Sequence, residues 1–401
     1  MENQINVIRK YLESNNLDAW ILVDYENQNK TVVSFLGNKM LTRKIFMVFT
    51  KIGKPFLICH TIDTVFLNDK EITDIFDIKS YKTWPEMLET EKREFSSFKN
   101  ICMDISADGL LPRISLADYG SVQFISSLGI QVRSSGDLLQ IFSAAFDDKA
   151  RDSQKEACQR ALEIRHEAFA KIRELILKDG QTDEYTIQQF IAKRFHESGM
   201  VFDEEAIVAV NANASNPHYG PTEKVHSPIK MGDSVLIDMW AMLKGENTVY
   251  ADITWMGYVG YEVPKVYQER FAILRKAVDS GFAFLKDNLP HRRVEGYEVD
   301  DVVRNTVNES GYGQYFTHRT GHNISVDVSP HGPGVNIDNY ESHDTRGIIP
   351  NISFSLEPGI YAPDFGMRSE TDVYIDEEMI PHMVGGRQDH VIAIMDENDD
   401  R

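Results

Sequence analysis

Five residues in the second half of the chain have types and spacing suited to metal chemistry. Asp238 closes the apolar run Ser234-Val-Leu-Ile-Asp238, and Asp252 sits inside Val249-Tyr-Ala-Asp-Ile-Thr-Trp255. Glu357 ends Ile352-Ser-Phe-Ser-Leu-Glu357, where Pro358 and Gly359 stop the strand, and Glu370 lies in Met367-Arg-Ser-Glu-Thr-Asp-Val-Tyr374. His322 ends His318-Arg-Thr-Gly-His322. Taken singly, each acid reads equally well as a strand-end carboxylate facing water, and each histidine, including His218, His318 and His331, as a structural or surface residue. Taken together they differ. Acids inside strands are rarely buried unless paired or bound to metal. Four carboxylates, about −4, match about +4 from two divalent cations. Carboxylate with imidazole suits Mn, Co, Zn or Fe. The set contains no thiolate, which argues against a structural zinc site. Paired metals sharing carboxylates commonly hold a water or hydroxide for hydrolysis.

The elements that must position these residues form a faint repeat. Helical periodicity marks two pairs, about 150–179 with 183–198 and about 264–287 with 295–309, each ending in Glu-Ser-Gly, at Gly199 and Gly311. Gly180 reads as a C-terminal stop and Thr182 as an N-cap. A histidine follows each Glu-Ser-Gly, His218 at 19 residues and His331 at 20. An apolar strand ending in an acid comes next, then a second acid. Such order suggests pseudo-twofold symmetry with a site at the interface of the halves. Before this region, a helix over 3–15 and short apolar runs at Ala19–Val23, Ile45–Phe49, Pro55–Cys59 and Phe98–Met103 predict an α/β domain. The division is expected at 1–148 and 149–401.

The motifs Asn216-Pro-His218-Tyr219, Asp238 through Asp252-Ile-Thr254, His318-Arg-Thr-Gly-His322, Pro330-His-Gly-Pro333, Leu356-Glu-Pro-Gly-Ile-Tyr361 and Arg368-Ser-Glu370 occur in one order over about 205–375. In that order they resemble the pita-bread metallopeptidases, and within them the prolidase and aminopeptidase P group. The first half resembles that group's creatinase-type N-domain less specifically. The resemblance implies an α+β pita-bread catalytic domain after a smaller α/β domain. It implies an Xaa-Pro exopeptidase that hydrolyses the bond before proline through a water or hydroxide bridging two metals, Mn being favoured. Asp238 would be a terminal ligand, Asp252 and Glu370 would bridge, and His322 with Glu357 would complete the second metal. Glu357 would also shuttle the proton. His218 and His331 would hydrogen-bond the carbonyl or tetrahedral intermediate. His318 would lie beside the substrate or behind the ligands, and Arg368 would steady the bridging Glu or touch substrate. The alternative for Arg368 is an ordinary ion pair.

Two departures stand out. The group usually has 11 positions between its two aspartates, whereas Asp238 and Asp252 are 14 apart. A hairpin lengthened around Leu243–Thr248, with Gly245 and Asn247 in the turn, keeps both acids on one side if the extra residues stay in the loop. Arg319, Asn323 and Ile324 also differ from the group and bear on substrate range.

Composition limits the rest. With 42 Lys+Arg against 62 Asp+Glu, the net charge of −20 disfavours nucleic acid and anionic membranes as partners. Three separated cysteines form no disulfide framework, and the N-terminus lacks an apolar leader, so a cytoplasmic protein is expected. The group's N-domain implies a homodimer. Trp20, Tyr25, Asn27 and Phe35 read as core and turn residues, with a pocket entrance as the alternative. Asp396, Glu397, Asp399 and Asp400 read as a solvated, frayed tail. Two other functions remain in play: a metal-dependent hydrolase or lyase of a small non-peptide substrate, and a non-catalytic binding relative. Retention of all the ligands argues against the latter.

Overall fold

The apolar runs of the first third pair into one mixed sheet. The computed structural model describes residues 1–399 apart from 38, 112, 113, 327 and 328. Within it, the strands lie in the order Asp77–Tyr81, Phe56–His60, Ile45–Thr50, Ala19–Asp24, Asn100–Met103, Gln131–Ser134. Period-two alternation feeds two cores. Trp20, Leu22, Met47 and Phe49 face one side, and Ala19, Ile21, Phe46 and Val48 the other. Trp20 and Phe35 are buried core residues, whereas Tyr25 is exposed. Asn27 is a turn residue at φ 59°, its amide donating to Lys39 O at 2.7 Å. The entrance alternative therefore fails for Trp20 and Phe35.

The chain divides into two units, Met1–Ser143 and Ala144–Arg401. Residues just past Ser143 already belong to the second unit. Ala144 packs in its core, Phe146 N donates to Asn351 O at 2.6 Å, and the Asp147 carboxylate caps the next helix at Ala150 N, 2.8 Å.

The second unit carries the repeat. Its helix pairs are Asp148–Asp179 with Glu184–Glu197, and Lys265–Asn288 with Gly296–Glu309. Gly180 closes the long helix in the left-handed region at φ 79°. The N-cap of the next helix is Asp183, whose carboxylate accepts from Thr186 N at 2.7 Å, not Thr182. Thr182 instead pairs with Ile229 in a short two-stranded ladder, which removes it from the cap. The long helix turns Ala157, Ala161, Ile164, Ala168, Ile172 and Ile176 into the core formed with Val235, Ile237, Ala251 and Ile253. Small residues at this stripe let the helix approach the strands closely.

Two hairpins complete the repeat. The first pairs Ser234–Leu243 with Tyr250–Tyr258, and the second pairs Ile352–Leu356 with Thr371–Ile375. The first turn uses Asn247 at φ 55°, and its amide donates to both oxygens of the helix-capping Asp147 at 2.8 and 2.7 Å. The tail is fastened rather than frayed. The Asp399 carboxylate accepts from Ala393 N at 2.5 Å and pairs with His390 at 2.9 Å. Asp400 lies outside the described residues.

Candidate metal centre

Register decides what the first hairpin presents. Asp238 stands opposite Thr254, and Trp240 opposite Asp252. Cross-strand partners share a face, and residues two apart share a face, so Asp238, Trp240, Asp252 and Thr254 all point the same way. The extra residues stay in the turn, as the sequence required for both acids to face one side. Glu357 directly follows the first strand of the second hairpin, and Glu370 directly precedes the other. Continuing that ladder by one residue sets them opposite each other.

These acids meet His322 on the wall of a cleft of about 520 Å³. His218, His318, His331 and Arg368 line the same cleft, so all nine candidate side chains come together. Ligand atoms of Asp252, His322 and Glu370 lie within 4.8 Å of one another. His322 Nε2 is 3.5 Å from Asp252 Oδ2 and 3.5 Å from Glu357 Oε1. Its Nδ1 lies 3.2 Å from Asn323 O, a carbonyl that can only accept. The ring therefore carries its proton on Nδ1 and turns the Nε2 lone pair toward the carboxylates, the arrangement a metal-bound imidazole needs. Gly321 makes the approach possible, because a Cβ there would stand 1.9 Å from Ser355 O.

The side chains of Asp238, Asp252, His322 and Glu370 are each at most 8% exposed, whereas that of Glu357 keeps 14% and is the ligand candidate most open to the cleft. Burial raises the proton affinity of all four carboxyls. Asp252 is pushed well up, first by burial and then by Glu370, Asp238, Asp372 and Glu357. Glu370 is pushed well up by burial, Glu357 and Asp238. Burial also raises Asp238, against the opposing pull of Arg368. Glu357 rises to about 7, chiefly by burial. His322 is held well below the usual imidazole range by burial.

A second layer fixes the ligands. Arg368 donates through Nη2 to Asp238 Oδ2, through Nε to Thr254 Oγ1 at 2.9 Å, and through Nη1 to the Tyr361 hydroxyl at 3.1 Å. Thr254 Oγ1 donates onward to Glu370 Oε2 at 2.6 Å. His318 lies behind this chain. Its Nδ1 is 2.6 Å from Arg319 O and its Nε2 2.7 Å from the Tyr361 hydroxyl. The carbonyl must accept, so Nδ1 carries the proton and Nε2 accepts from Tyr361. Burial and Arg368 push His318 down to about 3, which keeps that neutral tautomer. Asp372 Oδ2 accepts from Asp252 N at 3.0 Å. His331 stacks edge-on against His322 with ring centroids 4.0 Å apart, while His218 is exposed at the cleft wall.

The residues fit divalent cations. Four carboxylates and an imidazole lone pair face one another with one guanidinium, Arg368, bonded into the set among the described residues. Buried like charges at this spacing repel strongly unless protons or cations separate them. An oxygen-rich donor set with one imidazole suits borderline divalent ions.

Sequence reasoning assigned no role to Thr254, Tyr361 or Asp372. A period-two signal was present for Thr254 and Asp372, each two residues on from a candidate ligand on strand-like sequence. Tyr361 ends the motif Leu356–Tyr361, but nothing local there pointed to its bonds with Arg368 and His318.

Known proteins resemble this chain in sequence and fold. The Xaa-Pro dipeptidase of Lactobacillus delbrueckii subsp. lactis is 24% identical over 378 residues, covering 91% of this chain and 92% of that one. The dipeptidase PepE structure from Mycobacterium ulcerans superposes with a TM-score of 0.64 at 18% identity, covering 97% of this chain and 96% of that one. The X-Pro aminopeptidase structure from Thermotoga maritima gives 0.54 at 20% identity, covering 94% and 97%. The fold is the two-domain, pita-bread one. Residues 154–377, which carry both hairpins and every candidate ligand, match metallopeptidase family M24, and the chain belongs to that family.

Proposed function

We propose that this chain is an Xaa-Pro exopeptidase that uses two divalent metal ions, manganese for preference, to remove the residue before proline from short peptides. The observation that carries this reading is the convergence of three buried carboxylates, the more open Glu357 and one imidazole on a single cleft in an M24 chain. Relatives named Xaa-Pro dipeptidase and X-Pro aminopeptidase support proline at the second position. Asp238, Asp252, His322, Glu357 and Glu370 would hold the ions. Bound there, the ions would supply Lewis acidity and an activated water. Glu357, the most open of the ligands, accepts a proton and passes it to the leaving nitrogen. His218 and His331 donate to the carbonyl oxygen as negative charge develops on it. Arg368 holds Asp238 and, through Thr254, Glu370. His318 acts through Tyr361 on Arg368 rather than on substrate, since both ring nitrogens are already bonded.

The three cysteines are buried and unpaired, which supports a reducing, cytoplasmic setting. No helix among the described residues is long and apolar enough to cross a membrane. A homodimer remains part of the proposal. The deciding experiment is elemental analysis of purified protein joined to turnover of Gly-Pro, Ala-Pro and a longer Xaa-Pro peptide with Mn or Co. Asp252→Asn is expected to lose metal and at least about 100-fold in activity. No turnover of any of these peptides by the parent protein would refute the reading.

A further inference from the structure

Trp240 occupies a position beside the candidate ligands that the reaction itself does not require. It is two residues on from Asp238, directly opposite Asp252, and on the same face of the hairpin. It is half-buried, lines the cleft, and packs against the cluster containing Phe146, Val249, Tyr250 and Tyr374. Its indole Nε1 donates to Asp203 Oδ1 at 2.8 Å, which fixes the plane of the ring. Asp203 lines the same cleft. Among the described residues its hydrogen-bond donors, Trp240 Nε1 and Glu204 N, both reach Oδ1, which leaves Oδ2 to accept.

We propose that Trp240 and Asp203 form the subsite for the side chain of the substrate's amino-terminal residue and select a cationic one, lysine or arginine. The proposal rests on the Xaa-Pro reading above. An indole face attracts an ammonium or guanidinium through its quadrupole, and a carboxylate at its edge adds a charged acceptor. The field of the cleft has the same sign. Outside the ligand set, Glu204, Glu205 and Glu341 join Asp203 on the lining. Among the described residues the one Lys or Arg on the lining apart from Arg368 is Arg319, whose Nη1 lies 3.6 Å from Glu341. Two divalent ions would about neutralise the ligands and leave this acidic remainder. A peptide's carboxyl end is repelled by such a wall, so its ammonium end turns toward it.

The test compares kcat/KM for Arg-Pro, Lys-Pro, norleucine-Pro, Glu-Pro and Ala-Pro on the manganese-loaded full chain. Norleucine matches the length of lysine's stem without its charge. Arg-Pro and Lys-Pro should exceed norleucine-Pro by about tenfold, the sum of one cation–aromatic contact and one partly screened charge pair. Glu-Pro should be slowest, and the advantage of arginine should shrink in high salt. Asp203→Asn and Trp240→Leu should each cut the Arg-Pro to norleucine-Pro ratio by about threefold or more. A change in that ratio is something a loss of packing alone would not produce. If neither variant folds, the parent's ratio and its salt dependence decide. Equal rates for Arg-Pro and norleucine-Pro with Ala-Pro turned over would overturn this proposal alone. Failure to turn over every member of the series and a longer Xaa-Pro peptide as well would remove the peptidase reading and this proposal with it. Turnover of the longer peptide alone moves the same comparison to Arg-Pro- and norleucine-Pro-headed peptides.

Discussion

Thr254 uses one hydroxyl in two directions, donating to Glu370 Oε2 at 2.6 Å and accepting from Arg368 Nε at 2.9 Å. The side chain is fully buried, so neither partner can turn to water instead. Replacing it with the near-isosteric valine leaves a carboxylate oxygen and a guanidinium N–H short of partners. Groups that orient metal ligands typically cost 10–100-fold in affinity or activity when removed. Thr254→Val should therefore weaken manganese binding by about that factor, read by titrating metal into chelator-stripped protein. Unchanged affinity would show that Arg368 and Glu370 hold their positions without it. The Tyr361 hydroxyl sits one bond further out, between Arg368 and His318. Tyr361→Phe leaves Asp238 paired with Arg368, so its effect should be smaller than that of Thr254→Val in the same titration.

Positioning at the level of elements depends on close approach. Gly321 lies where a Cβ would meet Ser355 O at 1.9 Å, and Ser355 Oγ in turn accepts from His322 N at 3.0 Å and bonds Glu357 Oε1 at 3.1 Å. Gly321→Ala must push the His322 segment away from the second hairpin. The expected result is a loss of about 1–3 kcal/mol in stability together with a marked drop in bound metal, measured by denaturant unfolding and elemental analysis. A variant that keeps full metal content would mean that the segment can slide without moving the imidazole. Much of this arrangement was legible beforehand. Both Glu-Ser-Gly endings turned out to close a helix, with Gly199 at φ 70° and Gly311 at φ 80°. Period-two logic carried Asp238 and Asp252 to one face despite the longer turn. What escaped were features set by distant pairing. Thr182 lost its capping role to a ladder with Ile229, and Asp399 is fastened by Ala393 and His390. The cleft-side partner of Trp240 is Asp203, 37 residues earlier, and nothing local in sequence joins them.

At the scale of the molecule, the acidic surplus of 20 has two components with different pH behaviour. Surface acids such as Asp18 and Asp118 titrate below the usual carboxylate range, through backbone bonds or lysine partners that oppose their partial burial. They stabilise the fold above the unfolded value and lose that contribution only in acid. The buried set is opposite in sign. Glu357 is raised to about 7 and Asp372 to about 8, both chiefly by burial, and Asp252 and Glu370 are raised further in the same direction. Unfolded carboxyls lose their protons near pH 4. Between that point and the raised folded values, the metal-free folded chain holds protons that the unfolded chain has released. Its stability therefore falls as pH rises from about 5 to about 8. Metal binding displaces the same protons, so apparent affinity rises with pH, and ions at about 100 times their Kd add about 2.7 kcal/mol. The expected result is a Tm for chelator-stripped protein that declines from pH 5 to 8, beside a manganese-saturated curve that stays nearly flat. Self-repulsion among surface charges would push the stripped curve the same way, but it is screened in 0.5 M salt and the buried contribution is not. A decline that persists in high salt and disappears with manganese locates its origin in the buried carboxylates. A stripped Tm that rises across this range would show that those carboxylates do not carry the protons assigned to them.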